Sequence, residues 1–98
     1  MLTPRQRAHL RSLAHPLKPV ARIGREGITD AAVEALRDAF NTRELLKVKV
    51  LQAAPQNARD TGTELAARLA DVEVVQVIGR TIVLYRRHPE EPRIRFPE

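Results

Sequence analysis

The 98-residue chain predicts an α/β domain with the order α-β-α-β-α-β-β, folded as a two-layer sandwich with a four-stranded mixed sheet. Two patterns indicate this class. Apolar residues recur at the helical period in three segments, and alternating or β-branched runs separate those segments. A glycine between the last two runs adds a hairpin signal. The length is that of one domain with its own core.

The first predicted helix begins with a capping box at Thr3 and Gln6, has Pro4 at its first position and runs to about Ala14. Its core side carries Leu10, Leu13 and Ala14. At about 100° per residue, we place three guanidiniums on the opposite side, those of Arg5, Arg7 and Arg11. Prolines at positions 16 and 19 end the helix and force an extended segment before the first strand, Pro19 to Ile23.

The middle of the chain predicts helix, strand and helix. The second helix begins at Thr29 and continues to about Asn41. In the next strand, 45–51, alternation turns Leu46, Val48 and Val50 to one side and Lys47 and Lys49 to the other. The third helix spans roughly residues 58–70. We expect the second and third helices to cover one face of the sheet.

The last predicted elements are strands 74–78 and 81–86, joined by a two-residue turn at Gly79 and Arg80. Glycine at the first central position is typical of a type II′ hairpin. We therefore expect residues 1–86 to form the domain and residues 87–98 a proline-rich charged tail. In this tail, residues 93–96 either add a short strand or stay mobile.

The positive charge is concentrated near the start of the chain. The whole chain carries a formal charge of +5, and residues 1–27 hold six basic side chains against one acidic side chain, Glu26. Residues 28–73 are slightly acidic by the same count, with six basic and eight acidic side chains. A local basic cluster is typical of a protein that binds a polyanion, although a solvated surface remains the alternative.

A loop of the form G-x-x-G, Gly24-Arg25-Glu26-Gly27, lies between the first strand and the second helix. Two glycines let the backbone approach a ligand closely, and the start of a helix presents unpaired N–H groups to an anion. The bland alternative is a tight strand-to-helix turn. The loop predicts a phosphate site because basic residues precede it, although the Glu26 carboxylate opposes an anion there.

Other basic residues are candidates for the same surface. Lys18 and Arg22 precede the loop, Lys47 and Lys49 share one strand face, and Arg80 and Arg86 flank the last strand. Their alternative roles are an ordinary solvated strand face and protection of a sheet edge.

The sequence predicts neither a catalytic nor a metal site. There is no cysteine, and the three histidines lack ligand spacing. The acidic residues at helical spacing on the second helix are read as a solvated face rather than an acid/base pair. We expect no enzyme activity, no cofactor, no metal and no small-molecule substrate. The lack of cysteine favours a cytoplasmic setting, and no apolar run reaches the about 20 residues that span a membrane.

Aromatic residues are scarce, at three. Phe40 and Tyr85 lie in core-like patterns, so the exposed rings on which many modules stack bases are not expected. We predict recognition through phosphates, sugars and shape, with a steep dependence on salt.

Four ordered motifs resemble the bacterial stand-alone CRM domain, the YhbY-like RNA-binding proteins, over about residues 2–86. They are His15–Val20, Ile23–Thr29, Leu46–Val50 and Val77–Arg86. The resemblance implies three helices and a four-stranded mixed sheet, similar to the C-terminal domain of translation initiation factor 3. It also implies association with precursors of the large ribosomal subunit in bacteria, whereas plant relatives support group II intron splicing.

Carried onto this sequence, the family's G-x-x-G loop falls on Gly24 and Gly27. Its basic positions fall on Lys18, Arg22, Arg25, Lys47, Lys49, Arg80 and Arg86. The resulting hypothesis is a monomeric RNA-binding protein that assists ribosome assembly. Two alternatives stay open: a general nucleic-acid binder like the small basic chromatin proteins, with dimerisation undecided, and an enzyme subunit that holds a nucleotide phosphate in the glycine loop.

Overall fold

The computed structural model describes residues 1–97 and contains three helices and four strands. In chain order they are α1 (Pro4–Ala14), β1 (Pro19–Ile23), α2 (Asp30–Ala39), β2 (Leu45–Val50), α3 (Ala58–Arg68), β3 (Glu73–Ile78) and β4 (Thr81–Tyr85). The predicted α/β class and element order are confirmed.

The four strands form one mixed sheet in the order β1-β2-β4-β3. β1 pairs with β2 in parallel, and β4 lies antiparallel to both β2 and β3. β3 thus runs in the same direction as β2, with β4 inserted between them. The carboxyl ends of β1 and β2 and the β3–β4 turn all lie at one end of the sheet, where α2 and α3 also begin.

The main core lies between the sheet and two helices, α2 and α3. It includes Leu36 and Leu65 from the helices and Val48, Ile82 and Leu84 from the sheet, all fully buried. Gly62 permits a close approach of α3, because a Cβ at this position would lie 3.3 Å from Cγ2 of Ile82. The glycine that weakens the helical pattern therefore serves helix-to-sheet packing.

α1 packs on the face of the sheet opposite to α2 and α3, so it adds a partial third layer to the two predicted layers. There, Leu10 and Ala14 join Leu45, Val83 and Tyr85 in a second, smaller core. α1 is short and brings only two fully buried side chains, so it covers this face in part.

Several local predictions hold at atomic detail. The hydroxyl of Thr3 accepts a hydrogen bond from the backbone N–H of Gln6, whose side chain accepts one in return, as the capping box requires. Gly79 adopts φ +57° and Arg80 does not enter the positive-φ region, as a type II′ turn requires. α3 ends two residues before the predicted Ala70, because Leu69 turns to an extended backbone.

The segment after β4 follows the protein surface without forming a strand through residue 97. Ile94 and Phe96 pack against the smaller core, and the ring of Phe96 meets that of Tyr85 edge-on at a centroid distance of 5.9 Å. Residues 93–96 thus do not form the short strand considered from the sequence.

Candidate nucleic-acid interface

Two cations lie side by side on the sheet face that carries α1. Arg22 on β1 pairs in register with Lys49 on β2, and both side chains are exposed. Side chains of paired residues project to the same face, about 4.8 Å apart across the strands. The alternation predicted for β2 is confirmed, since Val48 and Val50 are buried on the other face.

Lys47, two residues before Lys49, connects the sheet to α1. Its Nζ donates a hydrogen bond of 3.0 Å to the carbonyl oxygen of His15, directly after the helix. Lys47 lines one depression together with Arg11 and a second one together with Lys18 and Arg43. Cations from three parts of the chain thus surround one side chain.

We call this set of six cations the basic strip: Arg11, Lys18, Arg22, Arg43, Lys47 and Lys49. Within residues 1–97, none of the six forms an ion pair with a carboxylate. Two arginines on α2 and α3 differ from the strip, because Arg37 pairs with Glu34 and Arg68 with Glu64, whereas Arg59 on α3 has no such pair within residues 1–97. The strip is therefore left with uncompensated positive charge.

Arg43 was missed by the sequence analysis. It lies in the connection between α2 and β2, outside any periodic pattern. The register of the parallel pair β1 and β2 would have indicated Arg43 as a member of this surface, because it aligns Pro19 with Lys47. That register brings the residues before β1, including Lys18, alongside those before β2.

The G-x-x-G loop forms a tight turn after β1. The N–H of Gly27 donates a 2.9 Å hydrogen bond to the carbonyl of Gly24, and Gly27 has φ +70°. A Cβ on Gly27 would lie 3.0 Å from Cγ of Pro55, whereas one on Gly24 would make only an ordinary contact. Glycine is therefore required at position 27 for conformation and for space.

Arg25 and Glu26 occupy the exposed tip of this turn. The β3–β4 turn lies at the same end of the sheet, where the carbonyl of Arg80 accepts a 2.7 Å hydrogen bond from the N–H of Val50. Arg22 and Lys49 each lie one residue before the ends of their strands. The structure thus brings the loop, Arg80 and the distal part of the basic strip to one end of the molecule.

A family model, described as the CRS1 / YhbY (CRM) domain, matches residues 2–86. The chain belongs to this family. Probable RNA-binding protein YqeI of Bacillus subtilis is 38% identical over 97 residues, covering 99% of this chain and 100% of the relative. A protein of Haemophilus influenzae named RNA-binding protein is 35% identical over 96 residues, covering 98% of this chain and 95% of the relative.

A solved relative has the same fold. The solution structure of the hypothetical protein SAV1595 from Staphylococcus aureus, described as a candidate RNA-binding protein, superimposes with a TM-score of 0.74. The two chains are 43% identical, and the match covers 99% of this chain and 100% of the relative. The family membership inferred from the four motifs is confirmed.

Arg7 does not lie where the helical wheel placed it. Its guanidinium is partly buried and donates hydrogen bonds of 2.8 and 3.0 Å to the carbonyls of Val74 and Val75 on β3. Arg7 precedes the buried Ala14 by seven residues, or two helical turns, and therefore shares its side of the helix. The prediction that it faces away from the core is wrong.

Two other predicted cations lie apart from the basic strip. Arg5 precedes Arg11 by six residues, or about 9 Å along the helix axis. Arg86 lies at the opposite end of the sheet from Gly24, because its N–H continues the ladder by bonding to the carbonyl of Glu44. Strand alternation also gives Arg86 the same face as Leu84, which is opposite to that of the basic strip.

A buried carboxylate, missed from the sequence, organises the end of this CRM domain that is opposite to the glycine loop. Glu44 is 5% exposed, and its two oxygens accept 2.7–2.8 Å hydrogen bonds from the backbone N–H groups of His88, Arg93 and Ile94. Burial alone raises the pKa of Glu44, but these donors and the nearby His88 together lower it below its ordinary value of 4.5. The carboxylate is therefore held ionised.

Nothing in residues 1–97 forms a cluster of three or more side chains able to hold a metal ion. The same residues include no helix with the length and apolar character needed to cross a bilayer. Phe40 and Tyr85 are buried, as expected, at 3% and 7% exposure.

Proposed function

We propose that this protein binds RNA through backbone contacts along the basic strip and at the glycine loop. The observation that carries the proposal is the set of six cations that converge on one face and have no carboxylate partner within residues 1–97. Phosphates supply the compensating charge. The names of the relatives in Bacillus subtilis and Haemophilus influenzae support an RNA partner.

The geometry favours recognition of phosphates over recognition of bases by aromatic stacking. At the turn tip, the exposed guanidinium of Arg25 is available to a phosphate, and the tight turn between Gly24 and Gly27 holds it there. Both Phe40 and Tyr85 are inside the fold. We therefore propose shape-directed binding of structured RNA.

For the RNA itself, we propose the precursor of large-subunit ribosomal RNA, with the protein assisting assembly. Support comes from the family's association with large-subunit precursors, which the four shared motifs imply. Crosslinking in cells followed by sequencing of the attached RNA tests this step. Reads dispersed over messenger RNA, without enrichment in large-subunit ribosomal RNA, would contradict it.

We predict a steep dependence of RNA affinity on salt. If about five phosphates are neutralised, log K against log salt falls with a slope of roughly −3.5 to −4.5. Replacing Arg22 and Lys49 together by glutamine removes two contacts and reduces the slope magnitude by about 1.4–1.8. The measurement is a titration of a structured ribosomal RNA fragment at several salt concentrations.

The matched control is the double variant Arg37→Gln with Arg68→Gln, which removes the same charge from α2 and α3. The control variant is expected to keep the wild-type slope of log K against log salt. An equal reduction of the slope in both double variants would show that only net charge matters. Duplex DNA of the same length tests the general nucleic-acid binder. Equal affinity for RNA and DNA at one salt concentration would favour that alternative.

A further inference from the structure

A cleft of about 670 Å³ lies at the end of the sheet that carries Glu44. Its apolar lining comes from α1, the α1–β1 segment, β2 and the C-terminal segment, through Leu13, Leu17, Leu45 and Ile94. Leu13 and Leu17 are 38% and 39% exposed, and both line this cleft. The volume lies in the range of sites that bind small organic groups.

The cleft is continuous with the basic strip. Leu17, Arg43 and Leu45 line both the cleft and the depression that contains Lys18 and Lys47. A polymer bound along the strip by its phosphates therefore passes the mouth of an apolar cleft. Arg43 stands at the boundary, without a carboxylate partner among residues 1–97.

The outer wall is built by the segment that Glu44 holds. Backbone N–H groups of His88 and Ile94 bond to its carboxylate, and the ring nitrogen Nε2 of His88 lies 3.1 Å from the carbonyl oxygen of Asn41. These bonds fix both rims in place. The cleft is therefore preformed, which reduces the ordering cost of binding.

Polar groups suited to a flat heteroaromatic ring stand around the apolar floor. The side chain of Asn41 carries one acceptor and two donor hydrogens, and it makes no hydrogen bond to another side chain or backbone group within residues 1–97. Glu91, whose carboxylate lies 4.0 Å from the guanidinium of Arg93, also lines the cleft. Apolar walls with a few edge-directed polar groups are the environment in which proteins hold an extruded base.

We propose that the cleft receives one unpaired nucleobase of the RNA whose backbone lies along the basic strip, so that the protein favours RNA with a bulged nucleotide. The inference rests on the proposed function and deepens it. Leu13, Leu17 and Leu45 pack against the base, Arg43 contacts its phosphate, and Asn41 reads its edge. The protein, which otherwise binds the RNA backbone independently of sequence, thereby prefers RNA with an unpaired base at this position.

The experiment compares three RNA hairpins of equal length and charge, binding to the full chain at one salt concentration. One carries a single bulged adenosine, the second an abasic bulge at the same place, and the third is fully paired. We expect the bulged adenosine to bind about fivefold or more tightly than the abasic bulge, because the base buries apolar surface in the cleft that the abasic site lacks. Equal affinity for these two hairpins overturns the cleft proposal.

Two exposed leucines provide matched variants. Leu17→Ser is expected to reduce the ratio of the affinities for the adenosine hairpin and the abasic hairpin to near one. Leu51→Ser, at 38% exposure and at the other end of the sheet, is expected to keep the ratio whatever it does to total affinity. If the affinity ratio in Leu17→Ser equals that of the wild type, the base binds elsewhere and the proposal is overturned.

The outcomes separate this proposal from the proposed function. Tight, salt-dependent binding of all three hairpins with equal affinity leaves RNA binding intact and rejects the base site. Failure of all three to bind rejects both. A second measurement needs no variant: 4-thiouridine at the bulge should photocrosslink to the peptide that contains Leu13 and Leu17, and crosslinks confined to α2 or α3 would contradict the cleft.

Discussion

At the residue scale, the polar side chain of Glu44 holds the segment after β4 in place. A buried carboxylate is costly unless it is fully hydrogen-bonded, and here three backbone N–H groups bond to it. In the sequence it is one more acidic residue before a strand. The three N–H donors belong to residues more than forty positions later in the chain, so no local sequence pattern predicts the role of Glu44.

We predict that Glu44 makes folding stability acid-sensitive. Its pKa is lowered in the folded protein from 4.5, so its contribution is complete above that value and is lost as pH falls through the folded pKa. Glu44→Gln should lower the unfolding free energy at neutral pH by about 1–3 kcal/mol, because the amide cannot accept all three bonds.

Urea unfolding of both proteins from about pH 7 down to about pH 3 tests this assignment. The difference between wild type and Glu44→Gln should narrow in acid, where the wild-type carboxyl is also protonated. A difference that stays constant with pH would show that shape, and not charge, accounts for the effect.

At the element scale, β3 is an edge strand that α1 protects. Edge strands expose backbone groups that can pair with other chains. The ladder between β3 and β4 shifts register between Val74 and Gln76, and the guanidinium of Arg7 bonds to two carbonyls at this irregularity. One side chain of α1 thus joins helix and edge.

We predict that Arg7→Met destabilises the fold by about 1–3 kcal/mol, since the apolar stem remains while two carbonyls lose their donor. The control, Arg5→Met on the same helix, should change stability by no more than about 0.5 kcal/mol. Thermal or urea unfolding measures both. Equal effects of the two substitutions would contradict a specific role for Arg7.

Elements were predictable where their signals are local. Thr3 caps α1 as predicted, Thr29 lies at the predicted start of α2, and alternation assigned Lys47 and Lys49 to the open face. The assignment of Arg7 failed because a short helix with only two buried residues leaves its orientation poorly defined. Arg43 and Glu44 were missed because their partners are distant in sequence, and only the strand register brings them together.

At the scale of the whole molecule, the sheet separates two cores of unequal size. The larger one, under α2 and α3, is formed by residues up to Leu84, whereas the smaller one also needs α1 and the segment after β4. The family model ends at residue 86, yet Ile94 and Phe96 pack against this second core. Packing therefore continues beyond the matched region.

We predict that removing residues 87–98 lowers the unfolding free energy by about 2 kcal/mol or more, because apolar burial and the donors to Glu44 are lost together. Ending the chain after Phe96 is the matched control and should have little effect. Chemical denaturation of the three chains provides the comparison. Wild-type stability in the shorter protein would show that the segment adds nothing to folding.

The strand order also predicts a difference in backbone mobility between the strands that carry Arg22 and Lys49. β2 is flanked on both sides, whereas β1 is paired on one side only, so amide protons should exchange with deuterium sooner in β1 than in β2. In the RNA complex that we propose, Lys49 is then a fixed contact, and Arg22 is one that adjusts to irregularities in the RNA. A rigid contact beside a compliant one would let a small protein fit a backbone that is never perfectly regular.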